Sequence, residues 1–400
     1  MNIQKKSTHE DKGRSSSSKA LFLGSFYTFF VNGGLALILG SILPFMRDTY
    51  DLNYRVAGLL QSFHAIGNLV ASFVSGLLPI YIGRKKTILM ACSLGMIAFL
   101  LMTVTDNSFL LLLAFFLTGI NRGSVSNFNN TIINDIATGK AWALNLLHSV
   151  FSIGAFISPF IALILTKNNP DGWIYAVLIW AFFSLTEILV YGNMKVPNNY
   201  PAREKKSKVD LKFLKNKYFI TAVGILFSYL CVEQAFNGWL VTYFKDSGIM
   251  SVSLAQSMAS LLWIVILIGR LVTAYISNKV KKSKLLLIMS IGYFISIIFL
   301  IGSRTVTPAV AGIIGVGFFM AGIYPTTIAS AGKIIKEYPM AMSVLLTIAG
   351  IGSILMPSII GAVADAIGII GGMSVIVVAV VITLLLIIYN SYIYRSIEEV

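Results

Sequence analysis

The chain has 400 residues, of which 56% are hydrophobic and 12% charged, with a mean hydropathy of +0.82. Soluble domains are about one quarter charged, so a water-soluble enzyme or binding domain is excluded by the amount of apolar surface. The net charge of +15 does not indicate a nucleic-acid groove, because Lys and Arg sit in the gaps between apolar runs instead of clustering on one surface.

Residues 1–19 are polar and basic and read as a disordered cytoplasmic tail. The apolar run 20–45 is longer than the core of a cleavable signal peptide and long enough to cross a bilayer. Further spans follow at 56–82, 87–105, 108–134, 141–165, 171–194, 218–244, 252–277, 284–303, 307–332, 340–364 and 369–394, twelve in all. Gly and Pro inside several of them are tolerated because neighbouring helices satisfy the released backbone groups. Cys92 and Cys231 fall within spans and show no metal-ligand spacing.

Lys and Arg accumulate in cytoplasmic loops. With the N-terminus inside, 24 of the 31 basic residues lie on the inner side and five outside, so both termini are expected in the cytoplasm. The polar interval 195–217, with Pro197 and Pro201, divides six spans from six as a basic cytoplasmic linker. The expected domains are therefore 20–194 and 218–394, with a cytoplasmic tail at 395–400. An internal repeat supports the division: Gly154 precedes Pro159 by the same interval as Gly352 precedes Pro357, 198 positions later. Gly76 before Arg84-Lys85-Lys86 and Gly269 before Lys279-Val280-Lys281-Lys282 form a second echo. Duplicated halves are a mark of secondary transporters, whose solute site lies near the bilayer midplane.

The segment Gly76-Leu77-Leu78-Pro79-Ile80-Tyr81-Ile82-Gly83-Arg84-Lys85-Lys86 resembles the signature loop of the major facilitator superfamily, matching both glycines and the basic cluster. The acid usual at the position of Ile80 is missing. The resemblance implies an all-α integral membrane protein of twelve transmembrane helices in two pseudo-symmetric six-helix bundles, with Gly76, Gly83 and Arg84 in gating. Within the superfamily, Leu144-Asn145-Leu146-Leu147-His148, Glu233 through Trp239-Leu240-Val241-Thr242-Tyr243, Ile268-Gly269-Arg270-Leu271 and Tyr324-Pro325-Thr326 resemble the fucose-proton symporter group of sugar porters. That group carries an acidic coupling residue in its first helix, but 20–45 holds no Asp or Glu.

Polar residues inside spans are the candidate solute ligands, because charge in hydrocarbon costs about 2.5–3.5 kcal/mol or more and marks function by default. Glu233, mid-span, is a candidate cation-coupling and solute-binding carboxylate, the alternative being a structural carboxyl bonded to a neighbouring helix. Asn237 shares its face one turn on. Arg122 is either a ligand for solute hydroxyls or an anionic group, or a partner for Glu233; Ser126 and Asn129 continue its stripe. Gln61, His64, Asn68 and Ser72 form another stripe, and Asn145, His148 and Ser152 a third. For each histidine, an interhelical hydrogen bond is as good an explanation as a solute contact. Asn32, Trp239 and Tyr324 complete the candidate set. Tyr243 fits an interfacial aromatic belt, and Arg270 and Glu187 lie near inner helix ends, where snorkelling accounts for them.

No phosphate-cradling glycine motif precedes a Lys-Ser or Lys-Thr pair, so ATP-driven pumping has no support, and no cofactor or metal is expected. The expected function is a monomeric secondary transporter that moves a small polar solute, a sugar by preference, by alternating access, with a proton or sodium as coupling ion and lipid as its only other partner. Two rivals stand: a carrier, including an exporter, of an anionic or zwitterionic solute held by Arg122, and a non-transporting receptor. Cysteines introduced at Lys206 and Asn107 are predicted to react with impermeant reagent from opposite sides of the membrane; reaction from one side would overturn the topology.

Overall fold

The computed structural model describes residues 3–136, 141–196, 211–277, 279–338 and 340–398, and among them there is helix and no strand. The first six long helices are α1 (Ile3–Tyr50), α2 (Tyr54–Ile82), α3 (Arg84–Met102), α4 (Ser108–Ile136), α5 (Ala141–Thr166) and α6 (Gly172–Asn193). A single 3-10 turn, Lys212–Lys215, leads into α7 (Lys217–Asp246), α8 (Val252–Ser277) and α9 (Lys282–Gly302). The chain continues through α10 (Val306–Met320), α11 (Ile323–Ser330), α12 (Gly332–Glu337), α13 (Ala341–Ser374) and α14 (Ile376–Glu398).

Eleven helical stretches among the described residues are long and apolar enough to cross a membrane. The last, Ala341–Ile393, is 53 residues long, more than twice the roughly 20 residues that one crossing needs. It holds two crossings, because α13 loses helical geometry at Ile367 and at Gly368, whose φ of 84° is the left-handed conformation that glycine adopts without strain. The predicted eleventh and twelfth spans meet at this break. The predicted span 307–332 is likewise one crossing made of two pieces, α10 and α11, interrupted at Ala321–Gly322.

The described helices group into two compact units. The first comprises Met1–Ala36, Ile66–Ser158 and Ile174–Glu204; the second comprises Leu37–Ala65, Pro159–Trp173 and Lys205–Val400. The first unit is packed around Leu21, Ile88, Val125, Phe128 and Tyr191, with a second apolar cluster at Phe29, Ile133 and Leu147. In the second, Phe213 and Phe219 pack with Leu226, Ala341 and Leu345, so the 3-10 turn anchors the foot of α7 to α13.

The repeated glycines have equivalent roles. In the first unit a Cβ on Gly154 would lie 2.0 Å from the Phe30 carbonyl oxygen, so α5 rests on the backbone of α1. In the second, a Cβ on Gly352 would lie 2.4 Å from the Phe227 carbonyl oxygen, so α13 rests on α7. Small residues that let backbones approach are the usual means of packing helices in lipid. Gly154→Val and Gly352→Val should each destabilise the protein by about 1–3 kcal/mol through overpacking, read as a lowered Tm in detergent. Gly192→Ala, at a site with nothing within 4 Å, should leave Tm unchanged.

Candidate functional site

The second unit gathers its polar side chains around α7. Glu233 is half-buried, and the Tyr229 hydroxyl one turn before it donates to its Oε1 at 3.1 Å. The Tyr324 ring of α11 lies 5.8 Å from the Tyr229 ring. Tyr293 of α9, fully buried with an unpartnered hydroxyl, is within electrostatic range of Glu233. Arg270 of α8 is within range of both Tyr229 and Tyr324. The result is one carboxyl among three phenols with a guanidinium nearby. The sequence singled out Glu233 and Tyr324 but assigned Arg270 to snorkelling and passed over Tyr229 and Tyr293, whose aromatic rings look the same as core residues in a hydropathy window.

Gln61 and His64 of α2 are each 2% exposed. Gln61 packs on Gly238, where a Cβ would come within 3.1 Å of its Cγ, and its Nε2 has no partner. Gln61 is thereby brought beside Asn237 and one turn from Glu233. Trp239 is fully buried and its indole N–H donates to the Pro357 carbonyl at 3.3 Å, a helix-packing contact. Tyr243 is also fully buried; the reading of it as a membrane-interface aromatic is corrected, because α7 is covered there by its neighbours.

In the first unit, Asn32 of α1 donates through Nδ2 to the Arg122 carbonyl oxygen at 2.8 Å. Asn68 of α2 presses on the next residue, its Oδ1 being 2.7 Å from a Cβ built on Gly123. Half-buried Arg122 is thus flanked by two asparagines. Asn129, predicted to share its stripe, turns inward instead: it is completely buried, donates to Thr28 Oγ1 at 2.9 Å and accepts from the Tyr191 hydroxyl at 3.1 Å. His148 is exposed, edge-on to the Phe29 ring at 5.2 Å. The Asn145 side chain lies outside what the structure describes.

Of the predicted gating residues, Gly83 has a φ of 85° at the sharp α2–α3 turn, a conformation that favours glycine. Gly76 is exposed with open space around it. Arg84 pairs at 3.2 Å with Asp135 from the end of α4. An acid from a neighbouring helix therefore meets the basic cluster although Ile80 stands where the family places its own.

A polar latch that the sequence did not reveal joins four helix ends within the second unit. Arg47, near the end of α1, donates to Asp246 Oδ2 at 2.6 Å, at the end of α7. Its guanidinium stacks 3.8 Å over the Tyr54 ring at the start of α2, and the Tyr54 hydroxyl donates to the same Asp246 oxygen at 2.9 Å. Lys245 pairs with Asp48. Asp365 of α13 accepts the first two backbone N–H groups of α2, from Tyr54 at 2.8 Å and Arg55 at 3.0 Å. Those donors have no intrahelical partner, and the carboxylate also complements the helix dipole. Below the latch, Ser62 donates to the Ile354 carbonyl at 2.6 Å, and a Cβ on Gly58 would lie 2.4 Å from the Pro357 carbonyl oxygen. The Arg47–Asp246 pair is largely shielded, so a double-mutant cycle between Arg47→Gln and Asp246→Asn should give a coupling of about 1–3 kcal/mol. Either variant should raise the labelling rate of a cysteine introduced at Ser62; an unchanged rate would show that the latch does not hold this end closed.

Comparison with known proteins follows the same lines. The Major Facilitator Superfamily model matches residues 21–316. Among curated relatives, the Protein TsgA homolog of Buchnera aphidicola subsp. Baizongia pistaciae is 24% identical over 349 residues, 86% of this chain and 88% of that one. The Protein TsgA homolog of Yersinia enterocolitica is 22% identical over 342 residues, covering 83% and 84%. Among solved structures, the nucleoside transporter NupG has a TM-score of 0.72 at 16% identity, over 95% of this chain and 99% of that one. A bacterial homolog of the human lysosomal transporter Spinster, in an inward-facing and occupied conformation, has a TM-score of 0.73 at 16% identity over 95% and 97%. With a family model spanning most of its length and a fold that superposes on transporters, the chain is a multi-pass membrane protein of the major facilitator superfamily.

Proposed function

We propose that this secondary transporter moves a sugar or other small hydroxyl-rich solute across the cytoplasmic membrane by alternating access, coupled to a proton through Glu233. The supporting observation is the Glu233 cluster itself: a half-buried mid-span carboxyl bonded to Tyr229 and surrounded by Tyr293, Tyr324 and Arg270. Phenols and amides donate and accept, so they suit solute hydroxyls, and aromatic faces suit the apolar face of a ring. The solved relative by fold that carries nucleosides fits this reading, since a nucleoside contains a pentose. The basic-residue bias supports a topology with both termini in the cytoplasm and the Arg47–Asp246 latch on the outer side, in which the halves 20–194 and 218–394 rock as the latch opens and closes.

A coupling residue must change charge during the cycle, and a carboxyl that alternates between desolvated and hydrated states can do so. A second reading, an anionic or zwitterionic solute, is favoured by half-buried Arg122 flanked by Asn32 and Asn68. A thermal-shift screen of purified protein against sugars, sugar acids, nucleosides and amino acids separates the two. In proteoliposomes, Glu233→Gln should preserve exchange of the solute so identified while abolishing accumulation driven by a pH gradient. A variant that still concentrates solute with unchanged pH dependence would show Glu233 to be structural. Binding by the wild type with neither uptake nor exchange would show a receptor.

A further inference from the structure

Glu187 is the most isolated acid in the first unit. It sits on α6, six residues before the helix ends, where its carboxylate was expected to snorkel to the membrane surface. The structure corrects this: Glu187 is 1% exposed, and neither carboxylate oxygen has a hydrogen-bond partner. No ion pair reaches it among the described residues. Its face of α6 runs Ser184, Glu187, Tyr191, all buried and at helical spacing toward the unit's interior. The Asn121 amide of α4 faces the carboxyl, outside hydrogen-bonding geometry. Cys92 of α3 and Tyr191 of α6 are the titratable groups within its electrostatic range.

An ionised carboxylate in this setting has no counter-charge and accepts no hydrogen bond, the Asn121 amide being the group that faces it, and burying it in that form is far more costly than burying a neutral acid. Apolar packing does not explain it, since a leucine would fill the same space without a polar atom. A neutral acid is a different matter, because a proton needs no coordination shell beyond the carboxyl that binds it. The neighbourhood is polar as well. Tyr191, one turn from Glu187, donates to Thr28 Oγ1 at 2.9 Å and to Asn129 Oδ1 at 3.1 Å. The hydroxyls of Ser25, Ser124 and Ser184, on α1, α4 and α6, are buried without partners. Helical spacing puts Ser184 beside Glu187 and Ser124 beside Asn121.

We propose that Glu187 is a second proton-binding site, buried inside the first unit and separate from the Glu233 cluster. A hydronium ion gives one proton to a carboxylate oxygen, its O–H bond breaking as the carboxyl O–H bond forms and leaving a water molecule, and the reverse step returns the proton to water. The consequence for transport rests on the transporter reading above. Asn121, facing Glu187, adjoins Arg122, whose carbonyl is held by Asn32, so loading or unloading the carboxyl changes the charge against the segment of α4 that carries Arg122.

The test needs no solute, so it stands apart from the uptake experiments that decide the transport reading. Wild-type protein in lipid nanodiscs is titrated with acid and alkali in H2O and D2O and followed by infrared difference spectroscopy. The expected result is a carboxylic-acid C=O band that shifts in D2O, loses intensity as pH rises, remains in Glu233→Gln and disappears in Glu187→Gln. Should Glu187→Gln fail to fold, Glu187→Asp keeps the test: the band should persist at a shifted frequency, and an unshifted band would assign it to another residue. Identical spectra in wild type and Glu187→Gln, or a band that stays constant across the whole pH range, would overturn the proposal in favour of an inert buried acid. Loss of the band on adding sodium at fixed pH, with no response to pH alone, would overturn it in favour of a sodium site.

Discussion

In the hydrocarbon layer no water is available to complete a polar group, and every structural choice in this chain answers to that constraint. Backbone groups are satisfied by long helices. Between helices the apolar effect gives little net attraction, because lipid is as apolar as leucine, so packing relies on close backbone approach. The glycines supply it. Gly33 meets the Phe151 carbonyl and Gly154 meets the Phe30 carbonyl in the first unit; in the second, Gly40 meets the Asn237 carbonyl and Gly361 the Tyr54 carbonyl. The polar contacts depend on these approaches. With Gly40, Gly58 and Gly361 holding α1 and α2 against α7 and α13, Arg47 and Tyr54 come within reach of Asp246, and Asp365 reaches the start of α2.

Much of the architecture was legible because the same constraint writes it into composition. An apolar run of about twenty residues has few alternatives to a transmembrane helix, and eleven of the crossing stretches follow from length and hydropathy alone. The boundary between the last two crossings was placed by the same window at 365–368, and the structure breaks the helix there, at Gly368 with its positive φ. The Gly154–Pro159 and Gly352–Pro357 echo also carried physical content, since both glycines serve the same contact. What a hydropathy window does not register is a change of helical geometry inside an apolar run, such as the break between α10 and α11, because Ala321 and Gly322 are as apolar as their neighbours.

The candidate site was legible in part. A polar stripe on a membrane helix says that the face avoids lipid, and sequence periodicity carries no more than that. Two interiors are available to such a face, a solute pathway and the core of the helix's own bundle. Asn129 took the second, where Thr28 and Tyr191 complete its hydrogen bonds, while Arg122 on the same helix stayed half-buried. Glu187 was misjudged on the same ground. Distance from a helix end suggested that its side chain could escape to water, but the neighbouring side chains decide that, and those belong to α3 and α4. The Asp365 cap and the Asp246 latch were invisible because their partners lie 311 and 199 positions away, and an acid at a helix end has an ordinary explanation in solvation.

The strength of the latch suits a gate. Charged hydrogen bonds contribute about 1.5–3 kcal/mol each, exposed pairs such as Lys245–Asp48 contribute less, and both the Arg47–Asp246 pair and the Asp365 cap exchange their partners for water when they separate. The net hold is then a few kcal/mol. Binding of a small solute with micromolar to millimolar affinity supplies about 4–8 kcal/mol, and an equilibrium can be shifted only by the part of that energy which differs between the two states. A latch built of solvent-exposed lysines alone would fall below that range. In the proposed cycle, an aromatic ring over the guanidinium and glycine contacts beneath leave Arg47 and Asp246 only partly shielded, and a hold of a few kcal/mol stays within reach of the energy that a bound solute can provide.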